Sequence, residues 1–110
     1  MNESSVVSEP LYSSLGGDPD LGEIVQLFVN EMPDRVATVL EQLDNSDWEG
    51  LRRTAHQLKG AAGSYGFDPI SPSAAEVEAA VRDGEPEQRI RDTVSELIGL
   101  CNRATSGTPE

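Results

Sequence analysis

Residues 47–66, DWEGLRRTAHQLKGAAGSYG, carry the most regular hydrophobic pattern in the chain. Apolar side chains recur there at spacings of three and four residues, namely Trp48, Leu51, Ala55, Leu58, Ala62 and Tyr65. This spacing places them on one face of an α-helix. Ser46 with Glu49 matches a capping box and Gly66 is a typical helix end, so a helix over Asp47–Tyr65 is predicted.

Three further segments have apolar residues at helical spacing, and each begins at a proline. They predict helices over Pro33–Asn45, Pro72–Asp83 and Pro86–Ala104. No segment alternates with the period of two that is typical of a strand. Successive amphipathic helices with short connections predict an all-α fold, an antiparallel four-helix bundle.

The segment before Pro33 predicts an additional N-terminal helix packed across one end or side of the bundle. Asp18 followed by Pro19 is typical of a helix start, and apolar residues continue at helical spacing to Met32. Pro33 either opens the next helix or kinks a continuous one, and the sequence leaves both readings open.

The predicted domain organisation is one helical bundle between two polar ends. We expect residues 1–17 to be an N-terminal tail with a short helical turn around Leu11–Leu15, residues 18–104 to form the bundle, and residues 105–110 to be a C-terminal tail. The length suits one domain. The polar ends favour a free-standing protein.

Composition excludes several classes of function. The chain has 20 Asp and Glu against 8 Lys and Arg, a formal net charge of −12, which disfavours binding to nucleic acid or to anionic membranes. No apolar segment is long enough to span a bilayer, and the first residues do not resemble a secretory signal. The single cysteine, Cys101, rules out an internal disulfide and fits the reducing cytoplasm. One Cys and one His also exclude a multi-cysteine or multi-histidine metal site.

One local surface departs from this acidic composition. Between Gly50 and Phe67 there is no Asp or Glu, and the same window holds the only lysine, Lys59, and the only histidine, His56. Helical spacing places on the face of His56 the residues Arg52, Lys59, Gly60 and Gly63. Because the apolar seam lies elsewhere on the helix, His56 is predicted to face solvent.

These residue types suit the transfer of a phosphoryl group. Neutral imidazole is nucleophilic and is well populated near neutral pH. Lys59 would supply positive charge for a phosphoryl group. Each mid-helix glycine costs up to ~1 kcal/mol relative to alanine, a cost accepted where a partner must approach the backbone closely. The alternative for a lone helical histidine is an ordinary solvated side chain.

The sequence AHQLKGAAGSYG over Ala55–Gly66 resembles the signature of histidine-containing phosphotransfer (HPt) domains, His-x-Leu-Lys-Gly followed by small residues and a glycine. Asp47-Trp48 and the segment Phe28–Arg35 also resemble the family, and the resemblance covers about residues 18–104. It departs from the commonest form at Pro69 and Pro72, which stiffen the connection after Gly66. It implies a four-helix bundle in which His56 accepts and donates a phosphoryl group.

The resemblance also implies partners and cofactors. The phosphoryl group would come from, and go to, aspartates on receiver domains of response regulators and hybrid sensor histidine kinases. Mg²⁺ would belong to the receiver, so no cofactor of the protein's own is expected. We expect a monomer that is not an autonomous kinase, and the chain has no Gly-x-x-x-x-Gly-Lys-Ser/Thr motif for ATP.

Site residues follow from the same pattern. His56 is the predicted phospho-acceptor and Lys59 the group that stabilises the phosphoryl group. Glu76 and Glu78 are candidates to orient the imidazole, because related domains often place such a group 20 to 22 residues after the histidine, and Glu78 is preferred. The predicted docking residues are Arg52, Gln57, Gly60, Gly63 and Ser64.

The sequence alone leaves two other functions open. The chain could be a helical adaptor that binds signalling partners without phosphorylation, in which case His56 would be incidental. It could also correspond to the phosphorylated domain at the start of a chemotaxis kinase. Exposure to a phosphorylated receiver domain separates the phosphorelay reading from the adaptor reading.

Overall fold

The structure is a computed structural model, and it describes residues 9–105. They form four α-helices joined by short turns, so that successive helices run antiparallel. A pair of two-residue strands brackets the helices. In chain order the elements are β1 (Leu11–Tyr12), α1 (Gly22–Asp44), α2 (Trp48–Ser64), α3 (Ile70–Arg82), α4 (Glu87–Arg103) and β2 (Ala104–Thr105). The predicted all-helical fold with four helices is confirmed.

The predicted additional N-terminal helix is wrong, because α1 runs unbroken through Pro33. The structure therefore selects the continuous helix from the two readings of this proline. Met32 and Val39 are both buried and lie seven residues apart, so a continuous helix keeps its apolar stripe on one face through Pro33. Pro33 itself is exposed, so its ring lies on the outer side of the helix and does not disturb this packing.

Two helix starts differ locally from the predictions. The side chain of Asp47, and not that of Ser46, caps α2 by accepting a hydrogen bond from the Gly50 amide at 3.0 Å. Helix α3 begins at Ile70, before the predicted Pro72. A proline in the first turn removes only an amide that has no intrahelical partner there, so it does not delay the start of the helix.

Residues 9–17, which we call the N-terminal strap, cross the end of the bundle at which α2 and α4 end. Strand β1 pairs in parallel with β2, with Leu11 opposite Ala104. The Ser14 amide donates to the Gly66 carbonyl at 2.9 Å, and Arg103 Nε donates to the Glu9 carbonyl at 2.7 Å. The strap therefore ties the N-terminal segment to both helix ends.

The strap corrects the predicted organisation of the chain ends. The predicted helical turn around Leu11–Leu15 is instead strand β1 followed by a turn. Thr105, assigned by the sequence to the C-terminal tail, belongs to β2. The remaining parts of the two predicted tails, residues 1–8 and 106–110, lie outside the described residues.

The core fixes the orientation of α2. Its seam residues Leu51, Ala55, Leu58 and Ala62 are all buried, with at most 1% of their surface exposed. At the strap end of the bundle, the Phe28 ring lies 5.1 Å from that of Tyr65 and 5.4 Å from that of Phe67. With one face of α2 fully packed, the opposite face projects from the bundle as a rigid surface. Within residues 9–105, no helix is both long and apolar enough to cross a membrane.

Candidate functional site

His56 lies in the middle of the outward face of α2. Its side chain is 62% exposed, as the helical spacing predicts. The neighbouring turn is fastened to α3, because Ser71 Oγ donates to the Lys59 carbonyl at 2.9 Å. The imidazole thus stands on a backbone that two helices hold in place.

A single carboxylate from α3 links the two basic groups of this face. Glu78 Oε2 lies 2.9 Å from His56 Nδ1, and Glu78 Oε1 lies 3.0 Å from Lys59 Nζ. The Glu78 side chain is only 12% exposed. Glu76, the other candidate for orienting the ring, is exposed and lines a cavity with Asp83 and Arg89. The structure therefore brings Glu78, and not Glu76, into contact with the imidazole.

The electrostatics of this cluster decide which imidazole nitrogen is free. The hydrogen bond from Lys59 is the main cause that lowers the pKa of the Glu78 carboxyl; burial opposes it and the hydrogen bond with His56 adds to it. Glu78 is therefore an ionised acceptor near neutral pH, and it bonds the protonated Nδ1. In the neutral ring, Nε2 then carries the lone pair.

A second ion pair lies one helical turn before His56. Arg52 Nη2 lies 2.6 Å from Glu49 Oε2, and Arg52 Nε lies 3.3 Å from Glu49 Oε1. The hydrogen bond and charge of Arg52 lower the pKa of Glu49, and those of Glu49 raise the pKa of Arg52. Arg53 Nη2 approaches the same carboxylate at 3.8 Å. Glu49 lies just before the window from Gly50 to Phe67 that lacks acidic residues, so the sequence analysis did not identify it as the partner of Arg52. The i, i+3 spacing of the two residues is the signal that could have predicted the ion pair.

The predicted docking residues differ in their surroundings. Gln57, Gly60, Gly63 and Ser64 lie along the outward face of α2 and are all exposed, whereas Arg52 is half-buried. A Cβ added at Gly60 would meet no atom within 4 Å, whereas one at Gly63 would lie 3.7 Å from Ser71 Oγ. Gly60 thus leaves open space beside the imidazole, and Gly63 faces the start of α3. Their role in docking remains a prediction.

Two other sequence expectations concern reactive groups. Within the described part of the chain, no three side chains of His, Cys, Asp or Glu come together in a group that could hold a metal ion. Cys101 is buried, and burial raises the pKa of its thiol to about 11. A protonated thiol in the core is a poor nucleophile.

A comparison with protein families assigns the chain. The model described as the Hpt domain matches residues 23–104, well over half of the chain. The chain therefore belongs to the Hpt domain family, whose members are phosphotransfer modules of two-component phosphorelays. No curated protein and no solved structure gave a significant match. The match contains α2, α3 and α4, and the strap precedes it.

We expect Gly60→Gln to stabilise the protein while it slows phosphotransfer from a receiver domain. Glycine in mid-helix is unfavourable by up to ~1 kcal/mol, and the open space at Gly60 accepts a side chain. The same side chain would stand in the path of a docking partner. Thermal melts beside a transfer time course measure both effects.

Gly99 provides the matched control for Gly60. It is also a helical glycine, in α4, with nothing within 4 Å of an added Cβ. Gly99→Gln should raise the melting temperature similarly and leave transfer unchanged. A Gly60→Gln variant that is destabilised but transfers at the normal rate would place Gly60 in a packing role.

Proposed function

We propose that the protein is a phosphorelay intermediate that accepts a phosphoryl group on His56 from a receiver aspartate and passes it to another receiver domain. The observation that carries the proposal is the hydrogen bond between His56 Nδ1 and the ionised Glu78 carboxylate. It fixes the tautomer of an exposed ring and directs the nucleophilic Nε2 away from the protein.

The proposed step transfers one phosphoryl group between two side chains. The Nε2 lone pair attacks phosphorus, an N–P bond forms, and the bond from phosphorus to the aspartate oxygen breaks. The aspartate leaves as a carboxylate, and the proton on Nδ1 stays in place. The imidazole therefore becomes cationic as it takes up the phosphoryl group, and the reverse step restores the neutral ring.

Glu78 is suited to stabilise that cation. Its carboxylate is already hydrogen-bonded to Nδ1, so no group has to reorganise when positive charge develops on the ring. Lys59 holds the other carboxylate oxygen at 3.0 Å, which keeps Glu78 ionised and in position. In the unphosphorylated protein, the ammonium of Lys59 therefore acts through Glu78, on the Nδ1 side of the ring.

The remaining catalytic groups would come from the partner. The proposed partners are receiver domains of response regulators and of hybrid sensor histidine kinases, each of which would bring its own aspartate and Mg²⁺. The surface formed by Gln57, Gly60, Gly63 and Ser64 would receive the partner's loops. In this scheme the protein binds no nucleotide and has no kinase activity of its own.

The direct test is incubation of the protein with a receiver domain that has been phosphorylated on its aspartate. We expect label to move to the protein as phosphate that is labile in acid and stable in alkali, the behaviour of a phosphorus–nitrogen bond. Label that stays on the receiver while the two proteins bind each other would contradict the proposal and indicate an adaptor.

We expect Glu78→Gln to destabilise the protein at pH 7 by about 1 kcal/mol, and much less at pH 3. The Glu78 carboxyl has a pKa lowered from its ordinary value of 4.5, chiefly by the hydrogen bond from Lys59. A lowered folded-state pKa contributes stability that is present above the unfolded-state value and is lost as pH falls through the folded-state value.

Denaturant unfolding of both proteins at pH 7 and pH 3 measures this difference. Glu76→Gln is the matched control, because Glu76 lies on the same helix but away from the imidazole, in the cavity with Asp83 and Arg89. Its unfolding free energy should stay close to that of the wild type at both pH values. A deficit for Glu78→Gln that is as large at pH 3 as at pH 7 would contradict the assignment.

A further inference from the structure

The positive charge of Lys59 is not available on the Nε2 side of His56. Lys59 is already paired with Glu78, and that carboxylate lies on the Nδ1 side of the ring. A phosphoryl group brings close to two negative charges, and the ring gains only one positive charge. A further cation on the Nε2 side would therefore stabilise the phosphorylated protein.

Arg52 stands where such a cation is needed. It lies four residues before His56 on the same helix face, and its side chain is 35% exposed. Helical side chains lean toward the N-terminus of their helix, so the imidazole of His56 leans over the turn that carries Arg52. A guanidinium also presents a planar fork of donors that matches phosphoryl oxygens.

In the unphosphorylated protein, Glu49 occupies the guanidinium of Arg52 through both of its oxygens. Glu49 is 62% exposed, and ion pairs at the surface are weak, so a nearby dianion competes well for the arginine. Arg53 already lies 3.8 Å from Glu49 Oε2. Glu49 would therefore keep a cationic partner after Arg52 leaves.

We propose that Arg52 exchanges partners when His56 is phosphorylated, leaving Glu49 for the phosphoryl group on Nε2 while Arg53 takes over Glu49. This inference rests on the proposed function of His56. Arg52 forms no covalent bond and moves no proton; it binds the transferred group. Glu49 opposes this binding, because Glu49 holds the guanidinium of Arg52 in the unphosphorylated state.

The transfer equilibrium with a receiver domain isolates this effect. Docking changes the rate of transfer but not the equilibrium constant, which depends only on the phosphorylated and free forms of each protein. We expect Arg52→Gln to shift the equilibrium toward the phosphorylated receiver by about threefold to tenfold. Glu49→Gln should shift it in the opposite direction, because it releases Arg52 from its competitor.

Arg53→Gln is the matched control. It removes the same charge one residue away, from a side chain that is 63% exposed and that in the proposed exchange only takes over Glu49. It should therefore shift the equilibrium in the same direction as Arg52→Gln but far less. Equal shifts for the two arginine variants would overturn the inference, since the loss of one positive charge anywhere on this surface would then account for both. A Glu49→Gln variant that shifts in the same direction as Arg52→Gln would also overturn it.

A spectroscopic readout separates binding of the phosphoryl group from general electrostatics. In ¹H–¹⁵N spectra of the arginine side chains, the Nε–H signal of Arg52 is identified as the one that is missing from Arg52→Gln. This signal should shift when the wild type is phosphorylated. An unmoved signal would overturn the inference while transfer to His56 still stands. A wild-type protein that takes up no label at all would overturn both this inference and the proposed function.

Discussion

His56→Gln is expected to fold like the wild type and to take up no phosphoryl group from a receiver domain. The side chain is 62% exposed and contributes nothing to the core, so its replacement leaves the packing of α2 intact. Glutamine keeps a polar side chain but has no nitrogen lone pair that can attack phosphorus. The expected loss is therefore complete, and radiolabel transfer beside a thermal melt measures it.

A relocated histidine gives the matched control for this variant. The double variant His56→Gln/Gln57→His has the same composition as the wild type, and residue 57 is also exposed. Successive helical residues point about 100° apart, so the moved ring cannot meet Glu78 as His56 does. We expect transfer to stay at background. Wild-type labelling of either variant would show that the phosphoryl group resides elsewhere.

A feature of the fold can be predicted from the sequence when it depends on residues that are close together in the chain. The seam of α2 is a local pattern and predicted its helix well. Pro33 permitted two readings, because whether an interior proline breaks a helix depends on the packing on either side of it. The pairing of Leu11 with Ala104 joins the two ends of the described chain. Each strand has only two residues, too few for a sequence pattern that would predict this pairing.

The candidate site divides in the same way. Helical periodicity alone places His56 and Lys59 on one exposed face, since both belong to α2. The contact with Glu78 depends on the register between α2 and α3, which the turn at Gly66 and the packing of Ile70 set. Glu76 and Glu78 point to different sides of α3. Sequence spacing named both and preferred Glu78, but only the register between the two helices shows which of them meets the imidazole.

Gly66→Ala is expected to destabilise the protein by about 2–4 kcal/mol, through its backbone and its surroundings together. Gly66 has a φ of 81°, and an L-residue in that conformation costs roughly 1–2 kcal/mol. The space is also filled: an added Cβ would lie 2.5 Å from Ser13 Oγ in the strap. Ser13 is buried and donates to the Tyr65 carbonyl, so it cannot turn aside without losing that bond.

Gly84 separates the cost of the backbone from the cost of displacing the strap. It has a φ of 67°, and an added Cβ there would meet nothing within 4 Å. Gly84→Ala should therefore cost only roughly 1–2 kcal/mol, the backbone contribution. At roughly 4–8 °C per kcal/mol for a domain of this size, the two melting temperatures should be well resolved. Equal losses for Gly66→Ala and Gly84→Ala would contradict the packing of the strap on the end of α2. A larger loss at Gly66 is the result expected if residues 9–17, which precede the family match, pack against the turn that ends the helix carrying His56.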